Sequence, residues 1–492
     1  MKKKSADVCL VLEATYPYVY GGVASWTHDL IQRQKDLSFH IVTIVSPSMP
    51  CVIRYEIPPN VLSLQTIVLQ ELPKGKRMFF KKSFFSQLEK SLLSILKEAN
   101  LEDFALIVNL FKRYKNKLGA NNLLNSKKAW KILIKLYKET IPDEPFLDFF
   151  WSYRFLLGSL FSILLADVPL AKIYHSICTG YAGLFSSKAS IETKRPCCIT
   201  EHGIYTNERR IEIISSQWLH ERDLYSLNIE HPFEGIKNFW THSFSSFSKI
   251  AYQQSQPIIT LFEGNQELQY EDGASKEKMK IIPNGIETGK FINIKRKQSS
   301  RPFKAAFIGR IVPIKDVKTF IRSASLVYRE LNECAFLILG PWDEDPYYYK
   351  ECKEIISKLG LEEKIPFLGK VPLEKFLGEI DLLVLTSVSE AQPLVILECG
   401  AAGIPVVSSD VGSCRELILG KSDENPLIGP GGIVTPLLSP EESAKAIIKI
   451  FKDKEFYQSC SKNIRERINR YYNIHDVSKS YHQLYQQLIK KD

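Results

Sequence analysis

A short apolar run at residues 382–385 is followed by a loop and then by a helix rich in small residues, which ends near residues 400–403. Pro393 stands where a first helical turn tolerates a residue without a backbone N–H. We therefore predict that Glu390 lies on the strand-to-helix loop and Glu398 within the first two turns of the helix. Both carboxylates should lie toward the carboxyl end of a parallel sheet, where open α/β sheets bind ligands. Carboxylates accept hydrogen bonds from hydroxyl groups, so this pair suits a sugar or a ribose.

The same order of strand, loop and helix recurs along both halves of the chain. We predict strands at residues 8–12, 39–45, 172–175, 196–200, 239–242 and 257–261, and then at 304–308, 335–339, 365–367, 382–386 and 405–408. Strands that alternate with helices are typical of parallel sheets covered by helices. The predicted fold class is α/β, with two Rossmann-like, doubly wound domains that face each other across a ligand cleft.

The length of 492 residues also favours two or three domains over one. We predict an N-terminal domain over residues 1–284 and a C-terminal domain over 285–474. A closing helix over 475–492 is predicted to pack back on the N-terminal domain. Between about residues 74 and 166 the pattern becomes helical and aromatic-rich, which indicates a helical insertion in the first domain.

The composition is typical of a globular protein, with 45% hydrophobic and 24% charged residues. The apolar run at residues 155–166 is interrupted by Gly158 and Ser159 and is shorter than the ~20 residues that a membrane helix needs. The run at residues 8–12 is too short for a signal sequence and reads as the first strand. The ten cysteines lack zinc-ligand spacing, so we expect reduced thiols in a cytoplasmic protein.

The positive charge is concentrated in one segment. Residues 74–140 contain 16 Lys and Arg against 5 Asp and Glu, a net charge of +11, while the whole chain carries +10. A solvated helical surface explains such a segment, and so does a docking face for an acidic partner or an anionic membrane. No nucleic-acid-binding motif accompanies the charge, so nucleic acid is not expected as a partner.

The turn from Gly309 to Asp316 carries two cations directly after a predicted strand and before a helix. Arg310 and Lys315 are spaced so that they can embrace a diphosphate from two sides. Positive charge at a helix N-terminus opposes the helix dipole, so we expect an anion there.

Two further candidates lie in the first half. Gly21 and Gly22 precede a helix that follows the first predicted strand, where backbone N–H groups can meet a phosphate. A lone histidine is more often structural than catalytic, but His202 follows a predicted strand end and should face the same cleft, which makes a substrate contact as plausible as a structural role. The adjacent residues 207–210 are either ligand-binding groups or, more simply, a salt-bridged helix start.

Together these elements resemble the retaining GT-B glycosyltransferases of family 4. The resemblance rests on the glycine loop, His202, the Ile-Pro-Asn-Gly turn at residues 282–285, Gly309-Arg310 with Lys315, and the Glu390–Glu398 spacing, and it covers essentially the whole chain. It implies a transferase that moves a hexosyl unit from a UDP-sugar to a growing polysaccharide.

The resemblance also implies a role for each matched residue. Arg310 and Lys315 would bind the pyrophosphate and stabilise the leaving group, Glu398 would hold the ribose, and Glu390 and His202 would orient the sugar. The implied donor-binding residues are Gly21, Gly22, Gly309, Arg310, Lys315, Lys370, Val371, Glu390, Gln392, Pro393, Leu394 and Glu398.

The implied reaction uses neither a metal ion nor a cofactor. Many family members have Glu-Gly-Phe-Gly where this chain has Glu390-Ala-Gln-Pro393, so the donor sugar is not transferable. The alternatives are a glycogen-synthase-like, lipopolysaccharide or glycolipid transferase, a nucleotide-sugar epimerase, and a non-catalytic subunit that senses nucleotide sugars.

The basic segment at residues 74–140 has no use in donor binding. For a transferase that feeds an exported polymer, we expect it to dock on an inner-membrane synthase complex. The protein would then be cytoplasmic, or peripheral at the inner membrane.

Overall fold

The computed structural model describes residues 4–76, 82–215, 235–295, 302–331 and 333–490, without the side chains of residues 82, 98, 214 and 215. Residues 77–81 of the predicted insertion lie outside this range.

The chain divides into two compact units. The first contains Met1–Thr260, Asn265–Ile281 and Tyr481–Asp492, and the second contains Leu261–Gly264 and Ile282–Ser480.

The first unit is built on a parallel sheet that has seven strands within the described residues, in the order β3-β2-β1-β4-β5-β6-β7. Its strands are β1 Ala6–Glu13, β2 Phe39–Val45, β3 Val61–Val68, β4 Ala171–Ser176, β5 Cys197–Glu201, β6 Ile258–Thr260 and β7 Met279–Ile281. The central strands are almost wholly apolar and buried, as expected for a parallel sheet covered on both faces.

The second unit has the same plan. Its parallel sheet has six strands within the described range, in the order β10-β9-β8-β11-β12-β13. These strands are β8 Phe303–Ile308, β9 Cys334–Leu339, β10 Phe367–Gly369, β11 Leu382–Leu385, β12 Val406–Ser409 and β13 Gly432–Thr435. Consecutive β11 residues, Leu382 and Leu383, contribute to two different hydrophobic clusters, one on each face of the sheet. The predicted pair of parallel-sheet α/β domains is therefore confirmed.

Helices cover both sheets. In the first unit they are α1 Gly22–Arg33, α2 Lys82–Glu98, α3 Leu101–Tyr114, α4 Ala120–Leu123, α5 Lys127–Thr140, α6 Phe146–Leu165, α7 Tyr181–Thr193, α8 Tyr205–Ser215, α9 Ile236–Gln254 and α10 Glu263–Glu271, although α10 begins in the second unit. In the second unit they are α11 Thr288–Ile292, α12 Val317–Glu330, α13 Pro346–Lys358, α14 Leu373–Phe376, α15 Leu394–Ala401, α16 Cys414–Leu419, α17 Pro440–Lys452 and α18 Lys454–Tyr471. The last helix, α19 Ile474–Lys490, contributes its final turns to the first unit.

Helices α2 to α6 form the helical insertion between β3 and β4. Their buried faces join the main hydrophobic cluster of the first unit, where Phe104, Phe111, Phe149 and Phe161 are fully buried. Phe111 and Phe161 stack with their ring centroids 5.6 Å apart. The described part of the insertion therefore extends the core of the first sheet.

The end of α19 packs inside the first unit through two buried tyrosines. The Tyr485 hydroxyl lies 2.7 Å from His175 Nδ1, and His175 Nε2 lies 2.9 Å from Thr200 Oγ1. Tyr481 lies 3.2 Å from the same threonine oxygen. These hydrogen bonds satisfy polar atoms that burial would otherwise leave unpaired.

One predicted strand is wrong. Residues 239–242 lie within α9, where Phe239, Trp240, Ser243, Phe244 and Phe247 are buried. This spacing places them on one helical face, so the β-prone composition of the short aromatic run was misleading. The prediction also missed β3, whose exposed positions give it an irregular polar pattern, and the short strand β13.

Helix α6 is longer than the apolar run that the sequence suggested. Within the described residues it is the one helix long and apolar enough to cross a membrane by length and composition alone. Its second half, from Leu156 to Leu165, is buried in the first unit. A core helix passes the same test, and this helix is part of the core.

Candidate active site

The second unit has a topological switch point between two central strands. Strand β8 pairs with β11 on one side and with β9 on the other, so the chain leaves β8 and β11 toward opposite edges of the sheet. Ligands of open α/β sheets bind at such points, beyond the carboxyl ends of the strands. The predicted residues Gly309 to Lys315 follow β8, and Glu390 follows β11.

Lys315 and Glu390 meet at this switch point. The Lys315 ammonium nitrogen lies 2.5 Å from Glu390 Oε1, and the Ser387 hydroxyl donates a 2.7 Å hydrogen bond to the same oxygen. Both charged side chains are largely buried. Because burial makes an unpaired charge costly, Lys315 needs an anionic partner here, and a ligand anion could take the place of Glu390.

Arg310 makes a different ion pair on the exposed side of the turn. Its Nη1 lies 2.6 Å from both carboxylate oxygens of Glu344, and both side chains are about half exposed. The turn after β8 was expected to need an external anion because it is cationic. In the described structure the chain itself supplies the anions, Glu344 for Arg310 and Glu390 for Lys315.

The loop that carries Glu390 packs closely against Gly412, a residue that the sequence prediction missed. Gly412 has a φ of +52°, and a Cβ there would collide with the carbonyl oxygens of Glu390 and Ala391. The Ser413 N–H donates to the Ala391 carbonyl at 2.9 Å. Gln392 is buried on this loop and accepts a 2.6 Å hydrogen bond from the Asn284 N–H. Such close backbone packing fixes the loop conformation.

Glu398 lies within α15, as predicted, and its carboxyl is half-buried. Burial, assisted by the charge of Glu374, raises the pKa of Glu398 from 4.5 to about 7. Pro393 stands at the N-cap of this helix, and Leu394 is its exposed first residue. Burial makes this carboxyl costly to ionise, and hydrogen bonds from the hydroxyl groups of a ligand would stabilise its ionised form.

The remaining predicted residues of this unit follow strands β8 and β10. The Gly309 N–H donates to the Leu339 carbonyl at 2.9 Å, which continues the pairing of β8 with β9. Lys370 is exposed and Val371 half-buried directly after β10. Gly369, with φ of +70°, lies against the Trp342 ring, from which a Cβ would be 3.2 Å away. Trp342 is a further aromatic surface at this edge that the prediction did not include.

In the first unit, the predicted glycines lie in open space. Gly21 and Gly22 are exposed at the start of α1, and a Cβ at either would meet no atom within 4 Å. The φ of Gly21 is 173°, an extended value that any residue adopts. The packing of the chain itself therefore does not require either glycine.

His202 follows β5, as predicted, and it is neutral near pH 7. Burial lowers its pKa to about 4. Its ring meets the edge of Trp26 with 4.6 Å between centroids, and its buried Nε2 has no hydrogen-bond partner among the described residues. A neutral imidazole nitrogen without a partner can form a hydrogen bond with a ligand hydroxyl. For residues 207–210, the Arg209–Glu212 ion pair of 2.8 Å fits a salt-bridged helix start.

Two glutamates at strand ends of the first unit were not predicted as functional. Glu13 ends β1 and accepts hydrogen bonds from the Tyr181 N–H at 2.9 Å and the Tyr205 hydroxyl at 3.0 Å. Glu201 ends β5, fully buried, and accepts from Tyr252 at 2.5 Å and Gln269 at 2.8 Å. Burial raises the pKa of Glu201 to about 7. Their signal in the sequence was the strand-end position that they share with His202.

No group of three or more His, Cys, Asp and Glu within the described ranges has a metal-binding arrangement. The absence of a metal requirement stays a prediction.

The fold is that of two-domain glycosyltransferases. A sucrose-phosphate synthase from Thermosynechococcus elongatus superposes with a TM-score of 0.58 at 15% identity, over 99% of this chain and 100% of that one. Anabaena HepE, solved in complex with UDP, superposes with a TM-score of 0.59 at 13% identity, over 98% and 100% of the two chains. At these identities the likeness defines the fold, which is GT-B.

Residues 6–277 match the model of a domain of unknown function, DUF3492, and the chain belongs to that family. Residues 290–467 match the model of glycosyl transferases group 1. An uncharacterized glycosyltransferase of Methanocaldococcus jannaschii, MJ1607, is 28% identical over 218 residues, which is 42% of this chain and 53% of the relative. The chain spans about half the length of the curated relatives that it matches.

Proposed function

We propose that this protein is a retaining glycosyltransferase that moves a hexosyl unit from a UDP-sugar to a growing polysaccharide. The observation that carries the proposal is the Lys315–Glu390 ion pair at the switch point of the second sheet. The group 1 match over residues 290–467 supports a nucleotide-sugar donor, and HepE, of the same fold, was solved with UDP.

The ion pair suits a site that exchanges an internal anion for a ligand. A diphosphate beside Lys315 offers more charge than one carboxylate, so the ammonium group would turn to it and free Glu390 to accept sugar hydroxyls. The exposed guanidinium group of Arg310 would likewise exchange its ion pair with Glu344 for one with the same diphosphate. Glu398 would accept the ribose hydroxyls, and binding of those donors would lower its raised pKa.

The chemical step depends on stabilising the leaving UDP and does not use a nucleophile from the protein. The bond between the anomeric carbon and the phosphate oxygen breaks, and Lys315 and Arg310 stabilise the negative charge that develops on UDP. The acceptor hydroxyl then forms the new bond on the same face of the sugar, and its proton goes to the leaving phosphate oxygen. Glu390 and His202 orient the sugar, and the reaction requires neither a metal ion nor a cofactor.

The polymer that we propose is a Pel-type exopolysaccharide. Residues 13–26 and 200–209 resemble the corresponding motifs of PelF, the glycosyltransferase of Pel synthesis. The proposed location is the cytoplasm, or the cytoplasmic face of the inner membrane beside a synthase complex.

The direct test is a transfer assay with purified protein and a panel of UDP-glucose, UDP-N-acetylglucosamine and UDP-N-acetylgalactosamine. Thermal shift identifies the donor that binds, and NMR of the product gives the anomeric configuration. We expect one donor to raise the melting temperature and to yield an α-linked product, with full activity in a chelator. Donor consumption without a glycosidic product would identify an epimerase or hydrolase instead, and a β-linked product would exclude retention.

A further inference from the structure

Helices α5 and α6 of the insertion expose a cluster of large apolar side chains. Leu147, Trp151 and Phe155 follow one another at intervals of four residues along α6 and are 63%, 61% and 44% exposed. Trp130 on α5 is 48% exposed beside them. We call these four residues the aromatic patch. Single exposed apolar residues are ordinary, whereas a contiguous group that includes two tryptophans marks an interaction surface.

The aromatic patch is held in place by rings beneath it. Trp130 packs against Phe146 and Phe150 with centroid distances of 5.8 and 6.2 Å. Phe155 packs edge-on against the buried Trp240 at 5.5 Å. These contacts anchor the exposed rings to the core of the first unit, so the patch is a fixed feature of the fold.

Unpaired lysines lie beside this patch on α5. The helix sequence has five lysines and one glutamate. Lys135 is paired with Glu89 at 2.6 Å, but Lys127, Lys131 and Lys138 are exposed and make no ion pair within the described part of the chain. The acidic residues of this region are Glu139, which pairs with Lys97 at 3.0 Å, Asp143 and Glu144 at the turn, and Asp148 on the first turn of α6. Exposed lysines without carboxylate partners suit an anionic surface.

We propose that the aromatic patch and the α5 lysines seat this protein on the surface of an anionic lipid bilayer. Tryptophan and phenylalanine rings enter the boundary between headgroups and acyl chains, while lysines extend their ammonium groups to lipid phosphates. Because the second half of α6 is buried in the core, the helix lies along the membrane surface and does not cross it. This inference goes beyond the proposed reaction and does not depend on it.

Other cations of the basic segment are engaged within the fold. The Lys112 ammonium donates to the Glu192 carbonyl at 2.8 Å, and Lys115 donates to Ala166 O and to Asp167. Neutralising them would loosen the packing of α3, so a loss of membrane binding in such variants would not identify a lipid contact. The test therefore uses only exposed side chains of α5 and α6.

The experiment is co-sedimentation of the full chain with vesicles of phosphatidylcholine alone and of phosphatidylcholine mixed with phosphatidylglycerol. We expect the wild type to bind only the mixed vesicles. The variant Trp130→Ser/Trp151→Ser should lose at least tenfold in binding at every salt concentration. The variant Lys127→Gln/Lys131→Gln/Lys138→Gln should lose most of its binding at low salt, where charge attraction is least screened.

Leu427→Ser is the matched control, because Leu427 is a strongly exposed leucine of the second unit. It should bind vesicles as the wild type does, and all variants should remain folded and keep the UDP affinity of the wild type. Equal binding by the tryptophan variant and the wild type would overturn the proposal. So would wild-type binding to native membranes, lost after protease treatment, with none to lipid vesicles, since that result identifies a protein partner.

Discussion

The two sheets of this protein share one topology but use its switch point differently. In the first unit the chain leaves β1 and β4 toward opposite edges, as it leaves β8 and β11 in the second. Glu13 ends β1, and hydrogen bonds from the first residue of α7 and from Tyr205 hold its carboxylate in place. Glu390 follows β11 and pairs with Lys315, a flexible side chain that a ligand can redirect.

The comparison shows that two carboxylates beyond central strands can have partners of different mobility. The partners of Glu13 are a backbone N–H at the start of α7 and the buried Tyr205 hydroxyl, so we propose a structural role for Glu13. Glu390 has a hydroxyl and an ammonium group, both on rotatable side chains. We propose that the mobility of these partners distinguishes a ligand-binding role for Glu390 from a structural role for Glu13. Five substitutions test the roles proposed for the two units.

The largest effect is expected for Lys315→Ala. Loss of the charge that stabilises departing UDP should lower the transfer rate about 10²–10³-fold. Lys318→Ala is the control, because Lys318 on α12 makes a 2.9 Å ion pair with Glu351 on α13 and has no part in the proposed site. Steady-state kinetics of both variants decide the assignment, and equal rates would remove Lys315 from the site.

Glu390→Gln should reduce turnover while UDP still binds. The amide keeps the shape of the side chain but replaces one carboxylate oxygen, so it accepts hydrogen bonds from sugar hydroxyls less strongly. We therefore expect kcat to fall about tenfold to 10²-fold. Calorimetry with UDP and a transfer assay separate the two quantities. A variant that transfers at the wild-type rate would show that Glu390 serves only to hold Lys315.

Glu398→Gln should change how stability depends on pH. The folded-state pKa of Glu398 is raised from 4.5 to about 7, so the carboxyl binds its proton more tightly in the folded chain. Its contribution is complete below pH 4.5 and declines as the pH rises toward 7, by up to about 3 kcal/mol.

Urea unfolding at several pH values should therefore show a smaller decline for Glu398→Gln than for the wild type. Glu201 titrates in the same window and leaves part of the decline in the variant. The variant should also bind UDP more weakly if the carboxylate holds the ribose. An unchanged pH profile would contradict the raised pKa.

Glu13→Gln should destabilise the first unit and leave donor binding alone. The amide cannot accept from both the Tyr181 N–H and the Tyr205 hydroxyl as the carboxylate does, so the free energy of unfolding should fall by about 1–3 kcal/mol. Denaturant titration measures this loss, and UDP calorimetry checks the second unit. A weaker UDP affinity at full stability would place Glu13 at the ligand.

The smallest effect on stability is expected for Gly22→Ala. A Cβ there meets no atom within 4 Å, so the free energy of unfolding should stay within about 0.5 kcal/mol. If the backbone at Gly22 approaches the donor phosphates, the affinity for UDP-sugar should nevertheless fall. Gly289→Ala, also in open space but on α11, is the control and should change neither quantity.

The pattern of the sequence was sufficient for most of the fold. Long apolar runs before helices predicted the central strands of both sheets, because strands buried on both faces are almost wholly apolar. The same reasoning failed at residues 239–242, which lie in α9, and at the edge strand β3. At both places the exposure of each residue depends on neighbours that are distant in sequence.

For the site, the sequence by itself placed Lys315, Glu390 and Glu398 on the correct loops and helix, because proline, glycine and strand periodicity act locally. The tertiary structure alone decided which carboxylate pairs with which cation. It assigned Glu344 to Arg310 and set Gly412 under the Glu390 loop. These contacts join segments far apart in the chain, and their energies depend on distance and burial, which only the folded chain defines.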